Sequence, residues 1–523
     1  MAMLGPSAGN QAPPLAGHDL FRCNRPLAEA LEREGAGWAA ERCSSFGRLL
    51  TGEPLEWGRL ANENPPKLRT HDRYGERIDE VEFHPAWHEM MRLSLAHGLH
   101  SLSWTEPREG AHVARAALFM LASQVEAGHG CPVSMTHAAV PALRSSAPEL
   151  AATWEPLLTS TAYGEVALCG MAMTERQGGS DVRANTTTAT PVGGDEYELT
   201  GSKWFCSAPQ SRIFLVLAQA PGGLSCFLLE RGPGFEIQRL KDKLGDRSNA
   251  SSEIELRGAR ARLVGEEGRG VRTIVEMVVH TRLDCVLGTA AGMRQAVEQA
   301  THHAAHRSAF GAQLLAQPLM ENVLADLCVE SEAATVTALR LARAYDRRAD
   351  DAREAAFARI ATAIAKYWVC KRGPAHAAEA LECLGGNGYV EESGLPRVYR
   401  QLPLLSIWEG SGNVVCLDVL RALQREPETL EALLDEIALA GEPALTAEAE
   451  RAVADADEAS ARMAVERLAV ALQASLLIRH APSLVADAFR ARTGTAYGTL
   501  PAGIDKAAIV DRHRPAATTI QSP

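Results

Sequence analysis

The chain of 523 residues and 56.1 kDa holds 46% hydrophobic and 23% charged residues, the usual globular mixture. At ~150 residues per domain it accommodates roughly three to four domains and more than one sizeable core. Fifty-three Lys and Arg against 65 Asp and Glu leave a formal charge of -12, which excludes a wholesale basic nucleic-acid coat but not a local basic face.

Eleven scattered cysteines with no CxxC pair favour neither a disulfide scaffold nor a Cys-rich zinc module. They fit reduced, mostly buried thiols in a cytoplasmic protein. The opening MAMLGPSAGNQAPPLAGHDL lacks the basic and apolar regions of a secretory signal, and its Gly, Pro and Ala content predicts a mobile stretch over residues 1–20. No run approaches the ~18–20 apolar residues of a membrane helix. The closing TTIQSP carries no lipidation or retention signal.

From Pro26 to Tyr163 the pattern is helical; residues 84–104 and 112–128 place apolar side chains three and four apart. Near Val166 the texture changes to short apolar runs divided by Gly, Pro and Asp, as in EYELTGSKWFCSA, RIFLVLAQA and LSCFLLE, which predicts an antiparallel, barrel-like β domain. After Gly270 the helical period returns, with 324–350 expected as one long amphipathic helix carrying Arg340, Arg343, Arg347 and Arg348 late in its course. The last segment is Ala-rich and helical to Arg492, then loosens into a tail. Its residues 425–466 hold twelve acids and three bases, whereas 467–523 hold seven bases (Arg467, Arg479, Arg490, Arg492, Lys506, Arg512 and Arg514) and three acids. The predicted class is multidomain α+β: an N-terminal helical domain (1–165), a central β domain (166–270), a helical bundle (271–423) and a helical extension (424–523). No GxGxxG follows a predicted strand and no Walker A sequence is present, so a dinucleotide-binding or P-loop α/β plan is not supported.

Five motifs could carry chemistry. In MAMTERQGGSDVRANTTT (171–188), Gly178 and Gly179 let backbone approach a ligand while Thr174 and Ser180 supply hydroxyls; a polar turn explains the same residues. In GSKWFCSAPQS (201–211), adjacent Trp204 and Phe205 on a strand face opposite sides, one serving the core while the other covers a flat ring, or both pack in cores. HRSAFG (306–311) is the third, and the glycines of ECLGGNGYVEE (382–392) turn the backbone tightly after a helix. In SIWEGSGNVVCLDVL (406–420), Glu409 stands alone between Trp408 and small residues; an apolar neighbour suits a general base, and the following helix start suits a phosphate. An exposed acid in a capping loop accounts for it equally. His302 and His306 lie one helical turn apart without the Glu of HExxH or a third ligand, so no metal is assigned. GSG at 410–412 is not the nucleophile elbow of a serine hydrolase.

Taken together, in order and spacing, the five motifs resemble the acyl-CoA dehydrogenase superfamily. REGAGWAAE (33–41), GRLANENPP (58–66), FHPAWH (83–88), QVEAGHGCPVSMT (124–136) and LKDKLGDRSNAS (240–251) resemble its AidB-type branch, linked to alkylation stress, from about residue 15 to 423. The resemblance implies FAD between the β domain and the bundle, part of its site coming from a neighbouring subunit, in a homotetramer built as a dimer of dimers. It places Met171, Met173, Thr174 and Ser180 on the isoalloxazine loop and Phe205, Cys206 and Ser207 on the ring-covering strand. Arg307 and Phe310 fall on the pyrophosphate and adenine side, Gly385 and Gly386 near the adenosine, and Trp408, Ser411 and Asn413 around the base loop. Glu409 takes the position of the base that removes the α-proton of an acyl thioester as β-hydride passes to flavin N5. Two departures stand out: Glu382 where many members carry Gln, and Arg400-Gln401 where Arg-Asp is usual. The alternative is a protective flavoprotein that binds double-stranded DNA through 424–523, with incidental dehydrogenase activity. A third reading, a flavin-binding scaffold without chemistry, expects Glu409 to be shielded.

Overall fold

The computed structural model describes residues 9–492 and 494–515. Parts of the expected mobile start and of the C-terminal tail lie outside them. The chain divides into two compact units. One comprises Glu53–Asp284 with Glu409–Ser411; the other takes the residues up to Gly52, Cys285–Trp408 and those from Gly412 on. The first helices of the chain thus count with the later bundle, not with the helices that follow them.

In the first of these units, helices Ala111–Val125 and Gly130–Ser146 are buried on nearly every side, as their all-round apolar sequence requires. A hairpin of β1 (Lys67–His71) and β2 (Arg77–Glu82) interrupts the expected helical run. Its RTHDRYGERID sequence closes a tight turn in which the Asp72 carboxylate accepts from Tyr74 and Glu76 N–H at 2.8 and 3.0 Å.

Strands β3 (Cys169–Ala172), β4 (Thr188–Gly193), β5 (Glu196–Ser207), β6 (Ile213–Ala220), β7 (Gly223–Glu230), β8 (Phe235–Leu240) and β9 (Ser251–Val264) form one sheet. The pairings β4–β5–β9–β7–β6–β4 close a circuit, so the sheet is a barrel. It departs from the expected antiparallel pattern at β6, which runs parallel to β3 and pairs with β4 in parallel at that strand's first residue, Thr188. Phe214, Val216, Phe227, Leu229, Phe235, Ile254 and Leu256 fill the interior. They alternate along their strands, as side chains facing one side of a pleated strand must.

In the other unit, Pro318–Arg347 and Ala352–Cys383 are the longest partners, joined at Asp351, whose carboxylate caps the second helix through Arg353 N–H at 2.9 Å. Every residue from Leu324 to Ala342 is buried, so this helix is not amphipathic as expected. Its acids are matched instead: Arg372 meets Glu330 at 2.5 Å, Arg492 meets Asp326 at 2.9 Å, and Arg512 meets Glu332 at 2.9 Å. Helix Ala461–His480 packs against both long helices and against Gly412–Arg425, so the extension is integral to this unit. The expected loose tail gains a helix, Lys506–His513, capped by Asp505 and anchored by Arg294, which donates to the His513 carbonyl at 2.8 Å. Among the described residues no helix is long and apolar enough to cross a membrane. All eleven cysteines are free, and all but Cys23 are buried.

Candidate active site

The 171–180 segment is built around a buried ion pair that sequence reasoning did not single out. Lys203 donates to Glu175 at 2.7 Å, with side chains 0% and 2% exposed, and to the Leu217 carbonyl at 2.6 Å. Glu175 also accepts from Thr186 and Thr187 N–H at 2.7 and 3.1 Å. Burial alone would raise this carboxyl, but Lys203 and the threonines outweigh it and hold it down at about 2. Asn185 Nδ2 donates to the Met173 carbonyl at 2.9 Å and Trp204 N–H to the Thr174 carbonyl at 2.8 Å. Gly179 must be glycine because a Cβ there would stand 2.5 Å from Thr174 Oγ1. Met171 is buried, Met173 and Thr174 half-buried, and Ser180 exposed.

The strand motif folds differently from expectation. Neither Trp204 nor Phe205 enters the barrel core. The pairing of β5 with β9 shifts register between Lys203 and Cys206, and this bulge turns both rings outward. Phe205 is 48% exposed, and the Lys241 ammonium lies 3.4 Å from the Trp204 ring centroid and 4.7 Å from that of Phe205. Cys206 points into the barrel core, so its backbone, not its thiol, is what the site side receives. Beyond it, Ala208 sits at φ +51°, and both amide atoms of Gln210 are buried without a hydrogen bond inside the chain.

Glu409 joins this same unit. Its φ is +57°, unusual for a residue with a Cβ, and Arg282 Nε donates to its carbonyl at 2.9 Å. The buried Cys131 thiol lies near enough to Ser207 and to Glu409 for both to act on its titration. Burial pushes that thiol up to about 12, Asp246 and Glu409 adding to the rise while Lys243 and Ser207 oppose it. Ser207 in turn pairs with Met171 across β5 and β3. Arg282 and Cys131 carry no local sequence signal of their place near Glu409; Glu175 and Lys203 do carry one of theirs, as charged residues within strand-and-turn motifs.

The remaining expected residues, Ser411 excepted, belong to the other unit. Arg307 donates to the Asn10 carbonyl at 2.5 Å, and Phe310 is 100% exposed at φ +52°. Gly385 at φ +58° and Gly386 have open space where a Cβ would be, whereas a Cβ on Gly388 would meet the Leu381 carbonyl at 2.0 Å. Glu382 is exposed. Trp408 Nε1 is buried without a hydrogen-bond partner. Asn413 lies exposed in the first turn of Gly412–Arg425, while Ser411, of the Glu409 unit, is half-buried. Arg400 is occupied by Glu391, at 2.6 and 2.9 Å. The His302–His306 pair is tied to backbone: His302 Nε2 lies 2.8 Å from the Pro13 carbonyl and His306 Nδ1 2.8 Å from that of His302.

Comparison with known proteins identifies the family. Residues 10–165 match the adaptive response protein AidB N-terminal domain, 170–259 the acyl-CoA dehydrogenase middle domain, and 268–424 the acyl-CoA dehydrogenase C-terminal domain. The chain is 49% identical over 434 residues to the putative acyl-CoA dehydrogenase AidB of Escherichia coli, covering 80% of each. It is 30% identical over 437 residues to acyl-CoA dehydrogenase family member 11 of Caenorhabditis elegans, covering 78% of this chain and 70% of that protein. The solved structure of Caenorhabditis elegans ACDH-11 in complex with C11-CoA superposes with a TM-score of 0.86 at 26% identity, covering 97% of this chain and 93% of that one. The apo-form of Bd2924 gives 0.85 at 28% identity, covering 90% and 99%. The chain belongs to the acyl-CoA dehydrogenase family of FAD-dependent oxidoreductases acting on CH–CH groups, and within it to the AidB branch.

Proposed function

We propose that the protein oxidises an acyl-CoA thioester, Glu409 removing the proton from the carbon next to the thioester carbonyl. The observation that carries this reading is the neighbourhood of that carboxylate. It lies near enough to act on the buried Cys131 thiol, which stays protonated at neutral pH and so offers no competing base beside it. The left-handed backbone at Glu409 costs on the order of 1–3 kcal/mol, the kind of strain kept where a side chain must be aimed.

The residues present fit FAD. Gln210 and Trp408 offer buried polar atoms with no partner in the chain, Phe205 and Phe310 offer exposed rings, and Gly385 and Gly386 leave backbone open to close approach. Met171, Met173, Thr174 and Ser180, with Phe205 and the Cys206–Ser207 backbone, would hold the isoalloxazine. Arg307, Phe310, Gly385 and Gly386 would hold the pyrophosphate and adenosine, and Trp408, Ser411 and Asn413 the base-loop side. When bound, FAD supplies the acceptor for the substrate's β-hydrogen. The chain's own part is to orient the thioester, exclude water with the apolar walls of the barrel side, and take the α-proton on the Glu409 carboxylate. The almost bare Phe310 and Tyr389, 100% and 85% exposed, support completion of the cofactor site by a second copy within a homotetramer. The free, buried thiols support a reducing, cytoplasmic setting.

The DNA-binding alternative is less favoured. Six of the seven bases of 467–523 face acids: Arg467 at 3.6 Å, Arg479 at 2.5 Å, Arg490 at 3.6 Å, Arg492 at 2.9 Å, Arg512 at 2.9 Å and Arg514 at 3.2 Å. Arg492 and Arg512 are internal struts. Phosphate binding scales with the cations free to release counterions, and these are mostly committed.

Anaerobic titration of the yellow holoenzyme with acyl-CoAs of increasing chain length tests the proposal. At least one should bleach the flavin band; if none does, the dehydrogenase reading is wrong.

A further inference from the structure

Three histidines converge in the Glu53–Asp284 unit, and neither the motifs nor the proposed chemistry uses them. His112 opens helix Ala111–Val125, His137 lies within Gly130–Ser146, and His280 lies within Gly270–His306. One ring nitrogen from each lies within 4.8 Å of the other two, the one such set of His, Cys, Asp or Glu found among the described residues. Ring centroids stand 5.9 Å apart for His112–His137, 5.9 Å for His112–His280 and 5.4 Å for His137–His280.

Two features organise the trio. His137 Nδ1 lies 3.1 Å from the His100 carbonyl, which only accepts, so the ring proton belongs on Nδ1 and Nε2 keeps its lone pair. A carbonyl that fixes the tautomer and the plane of an imidazole is the usual outer support of a metal-ligating histidine. Trp104 is the second: its indole stacks on His137 at 4.8 Å and meets His112 and His280 edge-on at 4.9 and 5.7 Å, while its Nε1 donates to the His137 carbonyl at 3.1 Å. The trio is therefore held from one side by a rigid aromatic plate.

The charged neighbours leave the site close to neutral. Arg115, which bears on His137, is tied bidentately to Asp284, with Nη2 at 2.9 Å from Oδ2, and to the Leu99 carbonyl at 2.7 Å. Arg144 lies over Trp104 and is paired with Glu155 through Nε at 2.9 Å.

We propose that His112, His137 and His280 bind one divalent zinc-class ion that clips the helices of His112, His137 and His280 together. Three imidazoles with no carboxylate or thiolate select borderline ions such as zinc over magnesium or calcium. Tetrahedral donors at about 2.0–2.1 Å from zinc stand closer together than the nitrogens do here, so side-chain rotations close the set on the ion. His137 and His280 are buried and His112 is half-buried, which leaves the fourth position for water on the His112 side.

The test uses the full-length, FAD-loaded protein, stripped with a chelator, dialysed against zinc and then against buffer, with retained metal counted by mass spectrometry. One zinc per chain is expected, lost at least tenfold in His112→Gln and in His280→Gln and kept in His302→Gln, the control for the surface pair. Variants are compared at equal flavin content and circular dichroism. X-ray absorption at the zinc edge of the unaltered protein needs no variant and should report three imidazoles. No retained zinc, zinc retained equally by His112→Gln and His280→Gln, or a site with fewer than three imidazoles would each overturn the proposal.

Discussion

The Arg282 guanidinium donates to the main-chain carbonyl of Glu409 at 2.9 Å, tying the helix Gly270–His306 to the strained residue that carries the carboxylate. The bond acts on backbone, so it fixes where the carboxylate points. Arg282 is a positioning residue. Replacing it by Ala removes a charge-assisted hydrogen bond of about 1.5–3 kcal/mol. The rate of flavin reduction by acyl-CoA should fall roughly tenfold to a hundredfold, with FAD content unchanged and partial rescue by Arg282→Lys. A wild-type rate in Arg282→Ala would show that the backbone holds itself.

Lys203→Met should be among the most damaging single changes in the barrel. It leaves Glu175 buried without its cation, a loss of about 3–5 kcal/mol. Pairing it with Glu175→Leu should recover much of that loss, because the isolated charge is what costs. Urea unfolding of both variants and the double mutant measures the coupling; strict additivity would contradict it.

Acid should loosen the protein through these same acids. Glu175 and Glu330 are each held at about 2, Glu330 by Arg372, Arg492 and His376 against a raising effect of burial. Their folded values lie below the unfolded carboxylate value of about 4.3. Their contribution is therefore complete above that value and is lost as pH falls from there toward 2. Thermal unfolding from pH 6 to pH 3 should show Tm dropping mainly below pH 4.5, and less steeply in Glu330→Gln, which starts lower. An equal slope in that variant would remove Glu330 from the cause.

Deleting residues 424–523 should yield insoluble protein. The deletion strips Val465, Leu468, Leu472, Leu476 and Leu477 from the two long helices of the bundle and removes the arginines that match Asp326, Glu330 and Glu332. Each lost leucine represents about 1.5–3 kcal/mol of burial. DNA affinity is better probed in the intact chain: duplex binding measured across salt concentrations should show a shallow slope. A soluble, yellow truncated protein would mean the extension folds apart from the bundle.

Much of this fold was readable from residue types. The β domain announced itself by short apolar runs divided by Gly, Pro and Asp, and the flanking helices by apolar residues three and four apart. Geometry that depends on tertiary contact did not. The bulge that turns Trp204 and Phe205 outward arises from pairing between β5 and β9, which no local pattern encodes. The helix 324–342 read as amphipathic because its acids and arginines are polar by type; their partners come from Arg372, Arg492, Arg512 and Glu436, up to 180 residues away. The hairpin at 67–82 was masked by the helical segments around it, although its Asp-x-x-Gly turn was visible. His112, His137 and His280 stand on three separate helices, so no spacing rule could join them.

The base assignment is settled most directly by rapid-mixing of anaerobic holoenzyme with a reducing acyl-CoA, comparing the unaltered protein with Glu409→Gln. The amide keeps the size of the side chain but cannot take the proton. Flavin reduction should slow about 10²–10⁴-fold while FAD content and thioester binding persist. Reduction at the unaltered rate would show that another group removes the proton and that Glu409 has a different role.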